Sequence, residues 1–162
     1  YDTNAKVNPP LRSPQDVDAL VNGLQDGTID CIATDHAPHT DAGKQCSFEE
    51  AAFGISGLET ALGSLMSLVH QRKLSITTLI EKLTVGPSMV LNNPNICSGS
   101  LQVGYPADVT IFDPQAEWIV DPHSLVSKGK NTPLTGLMLK GKVVCTIVGG
   151  QLVYEGETAS NG

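Results

Sequence analysis

Thr28-Ile29-Asp30-Cys31-Ile32-Ala33-Thr34-Asp35-His36-Ala37-Pro38-His39 is the stretch on which the reading of this chain turns. Its first seven residues are rich in β-branched and small apolar side chains, which predicts a short strand over 28–34. The strand would deliver Asp35, with His36, Pro38 and His39 following at once. A strand that ends in an acid and runs into two histidines places ionisable groups at the C-terminal rim of a sheet. In (β/α)8 barrels that rim is where active sites are built. Asp35 could ligate a cation or serve as a general base toward a metal-activated water. From spacing alone the alternative stays open, because a capping Asp followed by surface histidines has the same pattern.

Working outward, residues 1–12 read as irregular, since Pro9-Pro10 after Asn8 disfavours helix. Ser13, Pro14 and Asp16 then supply a cap, a first-turn proline and a first-turn acid, and Gly27 a C-terminal stop, predicting a helix over 14–25. Val17, Leu20, Val21 and Leu24 form its apolar stripe. A long loop with Pro38, Gly43 and Gly54 leads to Ser56-Gly57-Leu58-Glu59, which has the form of a capping box and predicts a helix over 57–71. A shorter helix fits 75–83 with Ile76, Leu79, Ile80 and Leu83 inward. Gly86-Pro87 should break it, with a last turn over 87–91.

After Asn92 the texture changes. Strand candidates fall at 100–103, 108–112, 118–120, 143–148 and 151–154, with Gly149-Gly150 as a two-residue hairpin signal between the last two. No helix longer than two turns is expected between 100 and 156. The chain thus divides into an α/β part, residues 1–95, and a β-rich part, residues 96–162. One strand between helices cannot bury both faces of a sheet, so the first part reads as the end of a larger repeating β/α structure. An uncovered strand edge should then pair with another chain or leave apolar surface exposed.

Composition narrows the function classes. With 40% hydrophobic and 17% charged residues among 162, the chain can form a core and is not a disordered segment. A net charge of −7 and ten scattered basic residues argue against a nucleic-acid partner. Lys128, Lys130, Lys140 and Lys142 are the densest basic group and read as solvated surface. Apolar runs are far shorter than the ~20 residues of a membrane helix, and no basic-then-apolar leader is present. Among the four cysteines (31, 46, 97 and 145) no pair has C-x-x-C spacing, which disfavours a structural zinc knuckle. Cys31 and Cys145 read as small core residues, and a reducing cytoplasm is the simplest compartment. The chain opens Tyr1-Asp2-Thr3 without a methionine, as a fragment or processed product would.

Several ordered motifs go further. Asn8-Pro9-Pro10-Leu11-Arg12, Asp26-Gly27-Thr28-Ile29-Asp30, Thr34–Thr40, Ala52-Phe53-Gly54-Ile55 and Gly57-Leu58-Glu59-Thr60 resemble, in order and spacing, the C-terminal half of type I dihydroorotases, which are cyclic amidohydrolases. Gly104–Val109, Lys130-Asn131-Thr132-Pro133 and Gly149-Gly150 are similar to that family's closing β segment. The resemblance implies the C-terminal part of a (β/α)8 metal-dependent hydrolase followed by an antiparallel segment of a flanking β-sandwich. It also implies zinc as the cofactor and reversible hydrolysis of dihydroorotate to N-carbamoyl-aspartate in pyrimidine biosynthesis.

Carried over by residue, the resemblance makes Asp35 both metal ligand and general acid and base. His39 and Asn8 become substrate-binding side chains, and Phe53-Gly54 a main-chain contact to the pyrimidine ring. Arg12 reads as structural, His36 as a packing or supporting residue, and His70 and His123 as surface or boundary residues. Zinc brings the pKa of bound water to about 7, and Asp35 would shuttle the proton.

The family's H-x-H-x-R motif, its bridging acid and two further histidine ligands have no counterpart here. One credible ligand is too few for a zinc site, so the chain alone is expected to be inactive and without stably bound zinc. It should associate with the missing N-terminal half or form a homo-oligomer. Two other readings remain: an allantoinase or hydantoinase, which generally lack a histidine at the position of His39, and a non-catalytic dihydroorotase-like scaffold subunit.

Overall fold

The computed structural model describes residues 1–93 and 99–156. The expected boundary between 95 and 96, and Cys97, lie outside the described residues. Residues 1–12 are irregular apart from a 3-10 turn at Thr3–Ala5 capped by Asp2. Helix α1, Pro14–Asp26, forms as its end signals predict. Ser13 Oγ accepts the Asp16 N–H, Asp16 accepts the Ser13 N–H in return, and Gly27 leaves the helix at φ 85°. Arg12 Nε lies 3.2 Å from Asp16 Oδ2 and braces the same end.

Only half of the α1 stripe is covered. Val21 and Leu24 are 6% and 7% exposed, while Val17 and Leu20 are 43% and 55% exposed. The covered end meets Ile29 and Ile32 in a core built on Leu24, Met66, Leu74 and Leu79. Gly23 permits this approach, since a Cβ there would lie 3.0 Å from the Ile29 side chain.

The strand expected over 28–34 does not form. Its backbone donors go elsewhere, Ile29 N–H to the Gly23 carbonyl and Ile32 N–H to the Lys82 carbonyl. The nearest sheet-like pairing is a single parallel bridge, His36 with Ile55. A strand needs a lateral neighbour to satisfy its ladder, and no described segment runs beside this one.

Helix α2, Asp41–Lys44, is a single turn capped by Thr40 within what reads as loop. Helix α3, Ala61–His70, starts four residues later than the capping signal suggests. Ser56 does not cap it. Its N–H goes to the Asn131 carbonyl and its hydroxyl to Ser127. Glu59 accepts instead from the N–H groups of Val126 and Ser127, at 2.8 and 2.9 Å. Both halves of the apparent capping box are thus taken by the distant 126–127 segment, the Ser56 hydroxyl by the Ser127 side chain and the Glu59 carboxylate by backbone N–H groups. Helix α4, Ile76–Leu83, is capped by Ser75. It buries Leu79 completely, while Ile76 stays 39% exposed. Helix α5, Val85–Leu91, follows directly, with Gly86-Pro87 inside its first turn. Proline is tolerated there because that N–H has no intrahelical partner.

The β part is a three-stranded antiparallel sheet of β1 (Val109–Ile119), β2 (Met138–Val148) and β3 (Gln151–Glu155) in sequence order. The separate strands expected at 108–112 and 118–120 are one strand, interrupted at Pro114. There the Asp113 carboxylate accepts the N–H groups of Gln115 and Ala116, and the ladder resumes at Glu117. β2 begins five residues before the expected 143, and the candidate at 100–103 is a turn-bearing loop. The hairpin at Gly149-Gly150 forms as expected, with both residues at positive φ, 56° and 79°. The longest helical piece described between 100 and 156 is the 3-10 turn Pro122–Ser124.

Helix α3 packs on the sheet through small residues. A Cβ on Gly63 would meet Leu139 at 3.1 Å, and one on Gly141 would meet Met66 at 2.8 Å. Cys31 and Cys145 are half-buried rather than fully in the core. His70 and His123 are exposed, as is Lys128, while Lys130, Lys140 and Lys142 are half-buried.

Candidate active site

The loop after Thr34 is shaped at both ends. Asp35 is exposed with φ 44°, a left-handed conformation that Asp adopts more readily than most residues. Next to it, His36 Nδ1 accepts the Leu58 N–H at 3.2 Å, which puts the proton of the neutral ring on Nε2, 3.4 Å from Ser127 Oγ. Ala37 N–H then bonds the Ile55 carbonyl at 3.0 Å. At the far end, His39 N–H donates to Asn131 Oδ1 at 2.7 Å, and His39 Nε2 donates to the Phe53 carbonyl at 2.9 Å.

The second wall is the Phe53-Gly54 turn. Gly54 has φ 142°, and a Cβ there would lie 2.6 Å from Ala37 Cβ and 2.9 Å from His39 Nε2. Only glycine fits. The N–H of Gly54 donates to the Lys6 carbonyl at 3.0 Å, which brings the N-terminal segment carrying the exposed Asn8 alongside. His39, Phe53, Gly54 and the Asn8 segment therefore share one region, while Asp35 stands at the other end of the 35–39 loop.

Two lysines hold this region from behind. Lys44, 4% exposed, donates to the carbonyls of Thr3, Lys6 and Ala52 at 3.0, 3.3 and 2.7 Å. Burial, helped by the nearby charge of Lys6, pushes its ammonium below the ordinary lysine range, against a smaller opposing pull from Asp2 and Cys46. Lys6 donates to the Glu49 carbonyl, and its ammonium sits 4.4 Å from the centre of the Phe53 ring.

The third support comes from the β part. Asn131, 5% exposed, spends its whole amide here: Oδ1 accepts from His39, while Nδ2 donates to the carbonyls of Ala37 and Gly54 at 3.1 and 3.0 Å. Gly129 lets its own segment come close, since a Cβ there would lie 2.6 Å from the His39 nitrogen. The sequence reading uses Asn131 only as part of a motif and misses Lys6, Lys44 and the docking role of Glu59. The reason is distance along the chain. The side-chain partners of Asn131 are 92, 94 and 77 residues away, so no local pattern signals them.

The described residues do not by themselves fit a metal ion, because no three His, Cys, Asp or Glu side chains are grouped to hold one. Asp35 offers a single carboxylate. A cavity of about 630 Å³ lies between the start of α3 and the sheet, walled by Leu58, Leu62, Trp118, Leu125 and Tyr154. None of Asn8, Asp35, His39, Phe53 or Gly54 lines it.

Residues 4–153 match the amidohydrolase family, and the chain belongs to that family. Its architecture is the C-terminal portion of that α/β fold, followed by the antiparallel sheet. Among curated proteins it is 50% identical over 157 residues to the dihydroorotase of Desulforapulum autotrophicum, covering 97% of this chain and 36% of the relative. It is 49% identical over 155 residues to the dihydroorotase of Syntrophus aciditrophicus, covering 96% and 36%. The chain thus spans about a third of the length of these relatives. Among solved structures, the L-hydantoinase (dihydropyrimidinase) from Arthrobacter aurescens is similar with a TM-score of 0.84 and 33% identity, over 95% of this chain and 35% of that one. The D-hydantoinase from a Thermus species shares the fold, with a TM-score of 0.82 and 22% identity over 97% and 35%.

Proposed function

We propose that this chain is the C-terminal part of a dihydroorotase, which interconverts dihydroorotate and N-carbamoyl-aspartate in pyrimidine biosynthesis. Residues 1–95 would complete the barrel and residues 96–162 the flanking β domain. The observation that carries the reading is the grouping of His39 with Phe53 and Gly54, in a chain half-identical to curated dihydroorotases. His39, held through Nε2–H on the Phe53 carbonyl, would lie at the substrate carboxylate with Asn8 beside it. Main-chain groups of Phe53-Gly54 would face the pyrimidine ring.

Asp35 is assigned the proton transfers. In hydrolysis, water adds to the ring amide carbonyl, Asp35 takes the proton that the water loses, and the ring C–N bond breaks as Asp35 returns that proton to the departing nitrogen. In cyclisation the same carboxyl starts protonated. Zinc is the metal we assign to the whole protein, supplying Lewis acidity at the carbonyl. Asp35 would be its one ligand from this chain, the others coming from the rest of the protein. The exposed apolar residues of α1 and α5 (Val17, Leu20, Met89, Val90 and Leu91) support association with that remainder or with a second copy. The cytoplasm is the proposed compartment.

The test is turnover by the full-length protein of dihydroorotate, hydantoin and allantoin, with metal analysis of the same sample. Dihydroorotate as the preferred substrate is the expected result. Preference for hydantoin or allantoin would move the protein to a sister activity. Turnover of none, with no H-x-H upstream, would make it a scaffold.

A further inference from the structure

Asn131 belongs to the β part of the chain, yet its three side-chain hydrogen bonds all go to the two loops of the candidate site. It closes a ring of contacts in which the His39 N–H, the Ala37 carbonyl and the Gly54 carbonyl all terminate on one amide. Its own carbonyl takes the Ser56 N–H at 2.9 Å, which anchors the far end of the second loop. A side chain that is 5% exposed and uses its acceptor once and both donors cannot be exchanged without leaving buried partners unpaired. The segment bearing it is pinned independently. Glu59 holds Val126 and Ser127, and Gly129 packs directly on Pro38 and His39. Asn131 is thus a fixed point, and the loops are what it fixes.

We infer that Asn131 is a positioning residue of the substrate site, setting the distance between the His39 imidazole and the Phe53-Gly54 main chain. This rests on the proposed function. Asn131 touches neither Asp35 nor any reacting atom, so it acts through His39 and Gly54 on substrate binding. Removing it should raise KM and leave the proton transfers at Asp35 largely intact.

The experiment uses the full-length protein with dihydroorotate: wild type, Asn131→Ala, Asn131→Asp, His39→Ala, the His39→Ala/Asn131→Ala double variant, and Leu139→Ala as a destabilised control. Melting temperature, KM and kcat are read for each. Asn131→Ala should raise KM about tenfold, the size of one lost hydrogen bond, with kcat within about threefold. In the His39→Ala background it should add no more than about threefold, because the group it positions is gone. Asn131→Asp keeps the shape but turns a carboxylate toward two carbonyls, so its KM should rise at least as far as that of Asn131→Ala. It replaces Asn131→Ala in the cycle if the alanine variant does not fold. Leu139→Ala should melt lower with KM unchanged. Additive KM effects in the double variant, a wild-type KM for Asn131→Asp, or an equal KM rise in Leu139→Ala would overturn the inference alone. A wild type that does not turn over dihydroorotate would overturn the proposed function, and this inference with it.

Discussion

Gly54→Ala is the substitution whose outcome the geometry of the site determines most directly. The added Cβ would lie 2.6 Å from Ala37 Cβ, 2.9 Å from His39 Nε2 and 3.0 Å from the Ala37 carbonyl. Ordinary carbon contacts begin near ~3.5 Å, so the 37–39 and 53–54 segments must separate by most of an ångström. Two costs combine. Holding a non-glycine residue at φ 142° costs about 1–3 kcal/mol, and forcing an extra methyl into a filled space costs about 1–3 kcal/mol. The site should therefore lose roughly 2–6 kcal/mol locally and relax by moving His39 off the Phe53 carbonyl. A displacement near ~1 Å in a substrate-positioning group can cost about a hundredfold in rate, so kcat/KM for dihydroorotate in the full-length protein should fall by ~10–100-fold. Gly57→Ala is the matched control three residues on, since a Cβ there meets only the Thr34 carbonyl at 3.8 Å. It should keep wild-type kinetics and melting temperature. Wild-type kcat/KM in Gly54→Ala, or an equal loss in Gly57→Ala, would refute the reasoning.

In the full-length protein, Asp35→Asn keeps the side-chain shape and removes its basicity, and turnover in steady-state assays should fall by about 10²–10⁴-fold. His39→Ala should act mainly on KM, as steady-state kinetics of the same protein will show. Glu59→Gln leaves one oxygen to serve two backbone donors and should weaken docking of the 125–131 loop by about 1 kcal/mol, measured as faster amide hydrogen exchange at Val126 and Ser127. Burial holds the folded-state value of Lys44 below the ordinary lysine value of 10.5. Between those two values the unfolded chain binds more protons than the native one, so this lysine's contribution to stability rises with pH across that window and is level above it. Lys44→Met should therefore lose stability relative to wild type as pH is raised toward 10.5; urea midpoints whose difference stays constant up to that pH would contradict this.

Local signals and long-range contacts divided the determination of this protein between them. What the sequence determined by itself was whatever a few neighbouring residues decide: the ends of α1, set by Ser13, Pro14, Asp16 and Gly27; the Gly149-Gly150 hairpin; and the change from helical to β texture. The motif around Asp35 and His39 also pointed to the family without any coordinates. Tertiary structure decided wherever a polar group had a choice of partners. Ser56 and Glu59 form a capping box on paper, yet both are spent on the 126–131 segment because distant side-chain and backbone groups compete for them. Residues 28–34 have strand composition but no ladder, because a strand is a property of two segments and this one has no described neighbour. Pro114 interrupts the ladder, and the Asp113 carboxylate takes the Gln115 and Ala116 donors there before β1 pairs again at Glu117. Asn131 carries no local signal of its role, because a buried amide is defined by partners more than 75 residues away that only folding brings together.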